Sequence, residues 1–416
     1  MPNLPDNTLC CGCAACVDTC KHDALRLSED KDGYYNIVVD TDKCVNCKLC
    51  EKRCHILHQS SLRRNDPKEA QTFAGWSLDE KIIRKSATGG IFAQIAYTML
   101  HDGNTAVYGA ALMDDSSVKH VRISCIDEIY KLQNSKYQQS YTVGVYRKVF
   151  SDLKSGVRVL FSGVPCQIAA LYSFLNYRED LIQNLYTIEV LCHGVPSNNL
   201  HRMAIKINKA ERIKAYRNKE EGKGWIGGLN NRLSYYMPDG KVKLMQNRRK
   251  DFLFRSYLTF SFTRLSCYQC KYSNIKRVSD ITIGDFWHFQ ESPNRDKYDN
   301  LMGSSIIIAN SYKGKNMIAT CENLHIVPVT WKEFLPYNQN LFMPTNKYLF
   351  KGAKCIHLIN KLPKYLQTII YQNGFTNEKI DGLYQRILRM INRKNLQKKE
   401  NEINNMVEKT LKYLEK

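Results

Sequence analysis

Apolar residues fall in short blocks along most of the chain, and turn-forming residues separate them. Ala24–Leu27 and Tyr34–Val39 read as two short strands around the turn Asp30–Gly33. Thr72–Trp76 is an apolar strand, and Ile91–Leu100 has the length of a buried helix. Ala106–Leu112 and Val118–Ile123 follow as strands, and a helix then ends near Gly156. Val157–Phe161 is a buried-type strand that leads through Ser162-Gly163-Val164-Pro165 into a helix over Gln167–Leu175. Leu185–Leu191 is another strand and runs into Cys192-His193-Gly194-Val195-Pro196. Ser304–Ala309 reads as a further core strand and Lys313–Glu322 as a helix. Ile403, Met406, Val407, Leu411 and Leu414 recur at helical spacing, which predicts a peripheral amphipathic helix packed on the body or on a partner.

Composition narrows the class. At 416 residues the chain suggests two or three domains, and a hydrophobic fraction of 43% fits a globular protein. No apolar run approaches the ~18 residues that span a bilayer. Met1–Cys11 lacks a basic region followed by an apolar core, so no signal peptide is expected and the protein reads as cytoplasmic. In that setting 16 cysteines argue for metal ligation and against a disulfide scaffold. The net charge of +21 would attract acidic partners or phosphorylated cofactors. The charges are spread along the chain and no nucleic-acid module is visible, so nucleic acid is not the expected partner.

The cysteines carry the chemistry. Cys10, Cys13, Cys16 and Cys20 form one run and Cys44, Cys47, Cys50 and Cys54 a second, both C-x2-C-x2-C-x3-C. Three closely spaced thiolates reach one 4Fe-4S cluster, and the fourth points across to the other. Cys10, Cys13, Cys16 and Cys54 are therefore assigned to one cluster, and Cys44, Cys47, Cys50 and Cys20 to the second. Zinc sites more often show two ligand pairs with a longer insert. Cys11 has the wrong spacing and reads as non-ligating, and His55 and His58 read as surface residues. Lys21 and His55 follow the fourth cysteines, where two-cluster ferredoxins usually have proline.

Two further stretches invite a ligand. Lys85-Ser86-Ala87-Thr88-Gly89-Gly90 opens a helix, where free backbone N–H groups can bind an anion such as a pyrophosphate; an ordinary helix cap by Ser86 or Thr88 explains it equally well. Asn134–Ser140 (NSKYQQS) places Lys136 beside Tyr137, which suits a flavin nucleotide or a solvated loop. Cys166 and Cys192 stand at the carboxyl ends of neighbouring strands, where open α/β sheets hold ligands. With Cys267 and Cys270 they either hold a third cluster or are free thiols. Cys125, Cys321 and Cys355 stand singly and read as packing residues.

Taken together, these stretches resemble the coenzyme F(420) hydrogenase/dehydrogenase beta-subunit family, in the form with an N-terminal two-cluster ferredoxin module. KSATGGIF (Lys85–Phe92), NSKYQQS (Asn134–Ser140), LFSGVPCQ (Leu160–Gln167), LCHGVPS (Leu191–Ser197), SCYQCKY (Ser266–Tyr272) and SDITIGDFW (Ser279–Trp287) carry the resemblance. His288 departs from it, since many relatives have glycine there. The resemblance implies FAD, with contacts around Ser86, Thr88, Gly89, Gly90, Lys136 and Tyr137, and a third cluster on Cys166, Cys192, Cys267 and Cys270.

The expected fold is mixed α+β and α/β. A small bacterial-type ferredoxin-like domain (1–60) precedes a polar linker (61–70). A larger mixed αβ flavin and iron–sulfur region follows in two parts, 71–155 and 156–350, and then a basic helical tail (351–416). The expected function is a flavin- and iron–sulfur-dependent oxidoreductase between a small two-electron substrate and a one-electron redox partner protein, such as a ferredoxin-like or hydrogenase subunit. The rival readings are a non-catalytic electron carrier or adaptor and, behind it, a nucleic-acid-associated iron–sulfur protein.

Overall fold

The computed structural model describes residues 1–219, 232–245, 251–258, 263–344 and 401–415. The N-terminal module holds helix α1 (Ala15–Thr19), a hairpin of β1 (Leu25–Glu29) and β2 (Tyr35–Val39), and helix α2 (Leu49–Lys52). Leu25 and Leu27 of β1 face inward beside Val17 and Cys50 and give the module its own small core.

The body is built on one sheet. Its strands are β3 (Gln71–Ser77), β4 (Thr105–Leu112), β5 (Val118–Ile123), β6 (Arg158–Gly163) and β7 (Leu185–Val190). Beyond a small antiparallel sheet of β8 (Arg212–Asn218), β9 (Arg232–Tyr236) and β10 (Val242–Leu244) come β11 (Ile281–Asp285), β12 (Ser305–Ala309) and β13 (Leu324–Pro328). The order is β13-β3-β12-β11-β7-β6-β4-β5. β4, β6, β7 and β11 run parallel, and the flanking strands are antiparallel. Parallel strands are covered on both faces, which is why the start of β6, Val159–Phe161, reads as an apolar run. Strands from 71–155 and from beyond 156 share this sheet, so the two parts interleave.

Between β3 and β4 lie helices α3 (Glu80–Lys85) and α4 (Ile91–His101); α5 (Val145–Lys154) and α6 (Pro165–Phe174) flank β6. α4 packs Ile95, Ala96 and Met99 on one face of the sheet against Val107, Leu160, Ile188 and Ile307. α5 and α6 cover the other face, where Val149, Leu153, Ile168 and Leu171 meet Val159 and Phe161. Ala15 of α1 joins this second cluster, so the N-terminal module is seated on the α5–α6 layer. Residues 401–415 are helical. Val407 is buried among Phe286, Tyr298 and Phe334, with Ile403, Met406 and Leu411 beside it, so the amphipathic helix packs on the body. The rest of the expected tail, including Cys355, lies outside the described residues.

The stretch expected as a linker is pinned. Arg64 donates to the carbonyls of Lys271 and Lys276, and Asn65 donates to those of Arg277 and Ser279. Its polar side chains serve the backbone of a neighbouring loop, which polarity alone cannot distinguish from solvation.

Candidate functional site

The two cysteine runs share one backbone conformation. Gly12 (φ 66°) and Ala14 (φ 62°) are left-handed in the first; Asn46 (φ 56°) and Lys48 (φ 61°) are left-handed at the matching places in the second. Only Gly12 is a residue for which this is free; each of the others costs about 1–2 kcal/mol relative to a right-handed residue. A strained shape repeated at matched positions is a device for pointing successive thiols at one centre. At Gly12 a Cβ would also meet the Gln139 amide nitrogen at 2.8 Å and the Tyr35 carbonyl at 2.9 Å.

The cysteines of the two runs gather around two small voids. Cys10, Cys13, Cys16 and Cys54 line one void. Cys20, Cys44, Cys47 and Cys50 line another. In each, one cysteine comes from the opposite run, and Cys11 also lines the first. Burial pushes the Cys16 thiol up, and that of Cys54 up to about 11. Thiols held protonated in this way are poor nucleophiles; a bound metal would ionise them.

Cys166 stands at the start of α6, one turn past the end of β6, and Cys192 just past β7. Cys267 and Cys270 come from a separate loop that ends in Tyr272. These four thiols lie within electrostatic reach of one another, and burial pushes Cys192 up to about 11 and Cys267 further. The Gly194 amide lies 3.4 Å from the Cys192 sulfur, as the Gly12 amide does from Cys10. Among the described residues, the one set of three or more His, Cys, Asp or Glu ligand atoms within 4.8 Å of one another is Cys11, Cys13 and His55. The three groups of four are thus spread too widely for one tetrahedral ion with ~2.3 Å metal–sulfur bonds, which would hold its sulfurs under ~4 Å apart. They suit a larger inorganic core.

Next to this third group lies a cavity of about 340 Å³ at the carboxyl ends of the parallel strands. Cys13, Cys166 and Cys192 reach its wall, as do Ser86, Thr88, Gly90, Lys136 and Tyr137. Gly89 stands behind that wall: a Cβ there would meet the Gly75 carbonyl at 2.4 Å, so this glycine lets α4 approach β3. The Ser86 hydroxyl is bonded to the Ile82 carbonyl and Thr88 to Ser305. Gly90, left-handed at φ 79°, caps α4, whose first turn faces the cavity. Lys136 donates to the carbonyls of Gln133 (2.6 Å) and Lys131 (3.4 Å), and burial pushes its ammonium down to about 7. Tyr137 stacks edge-on to Tyr216 and Phe254. The Arg217–Asp285 ion pair, at 2.9 Å, and His193, whose imidazole burial pushes down, add to the polar lining.

Three features departed from expectation or escaped it. His55 is 1% exposed rather than a surface residue, and its Nε2 lies 3.4 Å from the Cys13 sulfur and 3.6 Å from that of Cys11. His58 is at the surface, as expected. Cys11 is wedged between Cys13 and Cys166, in contact with both, and bridges the first void and the main cavity. Arg264, 2% exposed, donates to the Cys10 carbonyl and to Gln139, which in turn holds the carbonyls of Cys11 and Gly12. Gln139 belongs to the NSKYQQS stretch, so this stretch supports the cysteine loop as well as the cavity. At His288 the backbone is left-handed (φ 59°), the conformation glycine favours, and the ring is held by Glu291 (2.8 Å) and stacked on Tyr337. The loop thus keeps its shape without glycine.

Comparison with known proteins defines the class. Residues 9–56 match a 4Fe-4S dicluster domain. Residues 156–330 match the family formed by the C terminus of the coenzyme F420 hydrogenase/dehydrogenase beta subunit. The two matches support an iron–sulfur redox role and an oxidoreductase, consistent with the resemblance. No curated protein matches it. Among solved structures it is similar to a chain of the F420-reducing NiFe hydrogenase complex from Methanosarcina barkeri, at 15% identity and a TM-score of 0.44, over 73% of this chain and 94% of that one. No helix among the described residues is long and apolar enough to cross a membrane.

Proposed function

We propose that the chain is a flavin- and iron–sulfur-dependent oxidoreductase that passes electrons between a small two-electron substrate, a deazaflavin or another hydride carrier, and one-electron carriers. One juxtaposition supports this reading above all: thiols from the first cysteine run and from the third group, Cys13, Cys166 and Cys192, reach the wall of the same cavity that Lys136, Tyr137 and the start of α4 line. Cys10, Cys13, Cys16 and Cys54 would hold one cluster, Cys20, Cys44, Cys47 and Cys50 a second, and Cys166, Cys192, Cys267 and Cys270 a third. The cavity would hold FAD, which exchanges two electrons at once or one at a time and so suits a site between a hydride carrier and clusters.

The chain's own residues bind and orient. Amides of the first turn of α4 and its dipole favour a pyrophosphate. The Lys136 ammonium has two N–H directions committed to carbonyls and one left for an anion. Tyr137 and Tyr257 line the cavity. At the far end Cys47 is exposed, where a one-electron partner protein would dock. The test is Lys136→Ala: flavin retention should fall while the iron bound by the N-terminal module is unchanged. Full flavin retention in that variant would contradict the proposed seat.

A further inference from the structure

His55 occupies the place where a proline usually follows the fourth cysteine, and its surroundings favour one tautomer. Arg64 donates to Gln59 Oε1, at 3.2 Å, which orients that amide. Gln59 Nε2 then donates to the His55 carbonyl (2.6 Å) and to the Tyr272 hydroxyl oxygen (3.1 Å). The Tyr272 hydroxyl carries one hydrogen, and the tautomer in which His55 Nδ1 accepts it gives that hydrogen a partner. In that tautomer the ring proton stands on Nε2, which faces the sulfurs of Cys13 and Cys11. The Arg64 guanidinium stacks over the Tyr272 ring at 5.4 Å and holds the far end of this chain of bonds.

Resting on the iron–sulfur reading above, we propose that His55 is a positioning residue that donates from Nε2 to the Cys13 sulfur and thereby sets the reduction potential of the cluster on Cys10, Cys13, Cys16 and Cys54. Reduction adds one electron to that cluster and its sulfurs become more negative. A donor aimed at one of them stabilises the reduced form and raises the potential; hydrogen bonding to sulfur is one of the few levers a protein has on this quantity. The second void has no buried histidine among the described residues that line it: its side-chain donors are His22 and Asn46, both exposed, and Lys48, whose ammonium is bonded to the Met1 carbonyl and Glu51. His55 thus makes the two N-terminal clusters unequal and favours the one nearer the cavity as the electron's resting place. Tyr272 lies two residues past Cys270, so the donor is also registered on the loop of the third group.

The test is a redox titration of the full chain, purified anaerobically, followed by electron paramagnetic resonance, with iron and sulfide assayed on the same sample. In His55→Phe the reduction equilibrium constant of one N-terminal cluster should fall about fivefold, the worth of one modest hydrogen bond, with the other cluster unmoved. His55→Gln, which keeps an N–H donor, should recover part of the shift. Tyr272→Phe, which frees the tautomer, should shift the same cluster in the same direction by less. Unchanged potentials in His55→Phe with full iron overturn the proposal, as do equal shifts in both clusters, which mark a packing effect. If His55→Phe loses iron, Tyr272→Phe decides, and an unchanged potential there overturns it. Wild-type protein devoid of iron and sulfide overturns the underlying reading together with the proposal, and the assay tells that case apart.

Discussion

Arg277 and Glu189 form an ion pair sealed from solvent, with side chains 2% and 0% exposed, at the base of the loop that carries Cys267 and Cys270. Arg277 also donates to the carbonyls of Tyr272 and Asn274, each at 2.8 Å, and Glu189 accepts from Thr282 at 2.8 Å. Glu189 is near the end of β7, three residues before Cys192. The pair therefore ties the strand that presents one thiol to the loop that presents two others.

Breaking the pair from one side leaves a buried charge, a change that costs about 3–5 kcal/mol. Arg277→Met should accordingly lower the melting temperature and reduce bound iron. Adding Glu189→Leu removes the orphaned carboxylate and should restore part of the stability but not the loop's carbonyl contacts. Thermal unfolding by circular dichroism, with iron counted on each variant, checks both. A single variant as stable as the wild type would show that water or local rearrangement reaches the site.

The cavity makes a pH prediction through Lys136. Burial brings its ammonium down to about 7, so it is largely neutral above that pH and charged below it. Affinity for a phosphate-bearing flavin should therefore rise as pH falls from 8 to 6, whereas riboflavin, which lacks phosphate, should bind with no such step. Fluorescence titrations at both pH values check this, and Lys136→Met should remove the step. A step of the same size for riboflavin would assign the titration to another group.

A second pH effect concerns folding. His120 is bonded through Nδ1 to Ser140 (2.8 Å) and through Nε2 to the Ser162 carbonyl (2.9 Å), and burial pushes it down to about 4. The unfolded chain binds a proton there below about 6.5 that the folded chain refuses. This contribution is intact above about 6.5 and is lost as pH falls towards 4. His201, also pushed down to about 4, acts in the same direction. Between pH 7 and pH 5, His120→Gln should lose about 2 kcal/mol less stability than the wild type, at 1.36 kcal/mol per pKa unit. Urea unfolding at the two pH values measures the difference; equal losses would mean that His120 is protonated in the folded state.

Much of this was legible from residue patterns, for stated reasons. β6 and β12 carry apolar runs because both sheet faces are covered, so their positions could be read directly. The cysteine spacing reports a local geometry, and the matched left-handed residues at 12 and 46, and at 14 and 48, are its backbone expression. What could not be read was everything set by distant pairing. His55 and Tyr272 are 217 positions apart. Arg264 and Cys10 are 254 apart. No local pattern marks such partners, and the same remoteness made residues 61–70 look like a free linker. Cys11 was set aside on spacing, which is silent about its contact with Cys166. Ser86 and Thr88 read equally as ligand contacts or as a helix cap; Gly90 is the cap of α4, and both hydroxyls are bonded elsewhere within the protein.

The central claim, a flavin working beside three clusters, is tested most directly by stoichiometry. The full chain, purified without oxygen and with flavin extracted from the same sample, should contain about twelve irons, about twelve sulfides and one flavin per chain, since each four-thiol set suits one four-iron core. About eight irons with no flavin, in protein reconstituted with excess iron, sulfide and FAD, would contradict it and leave a two-cluster electron carrier.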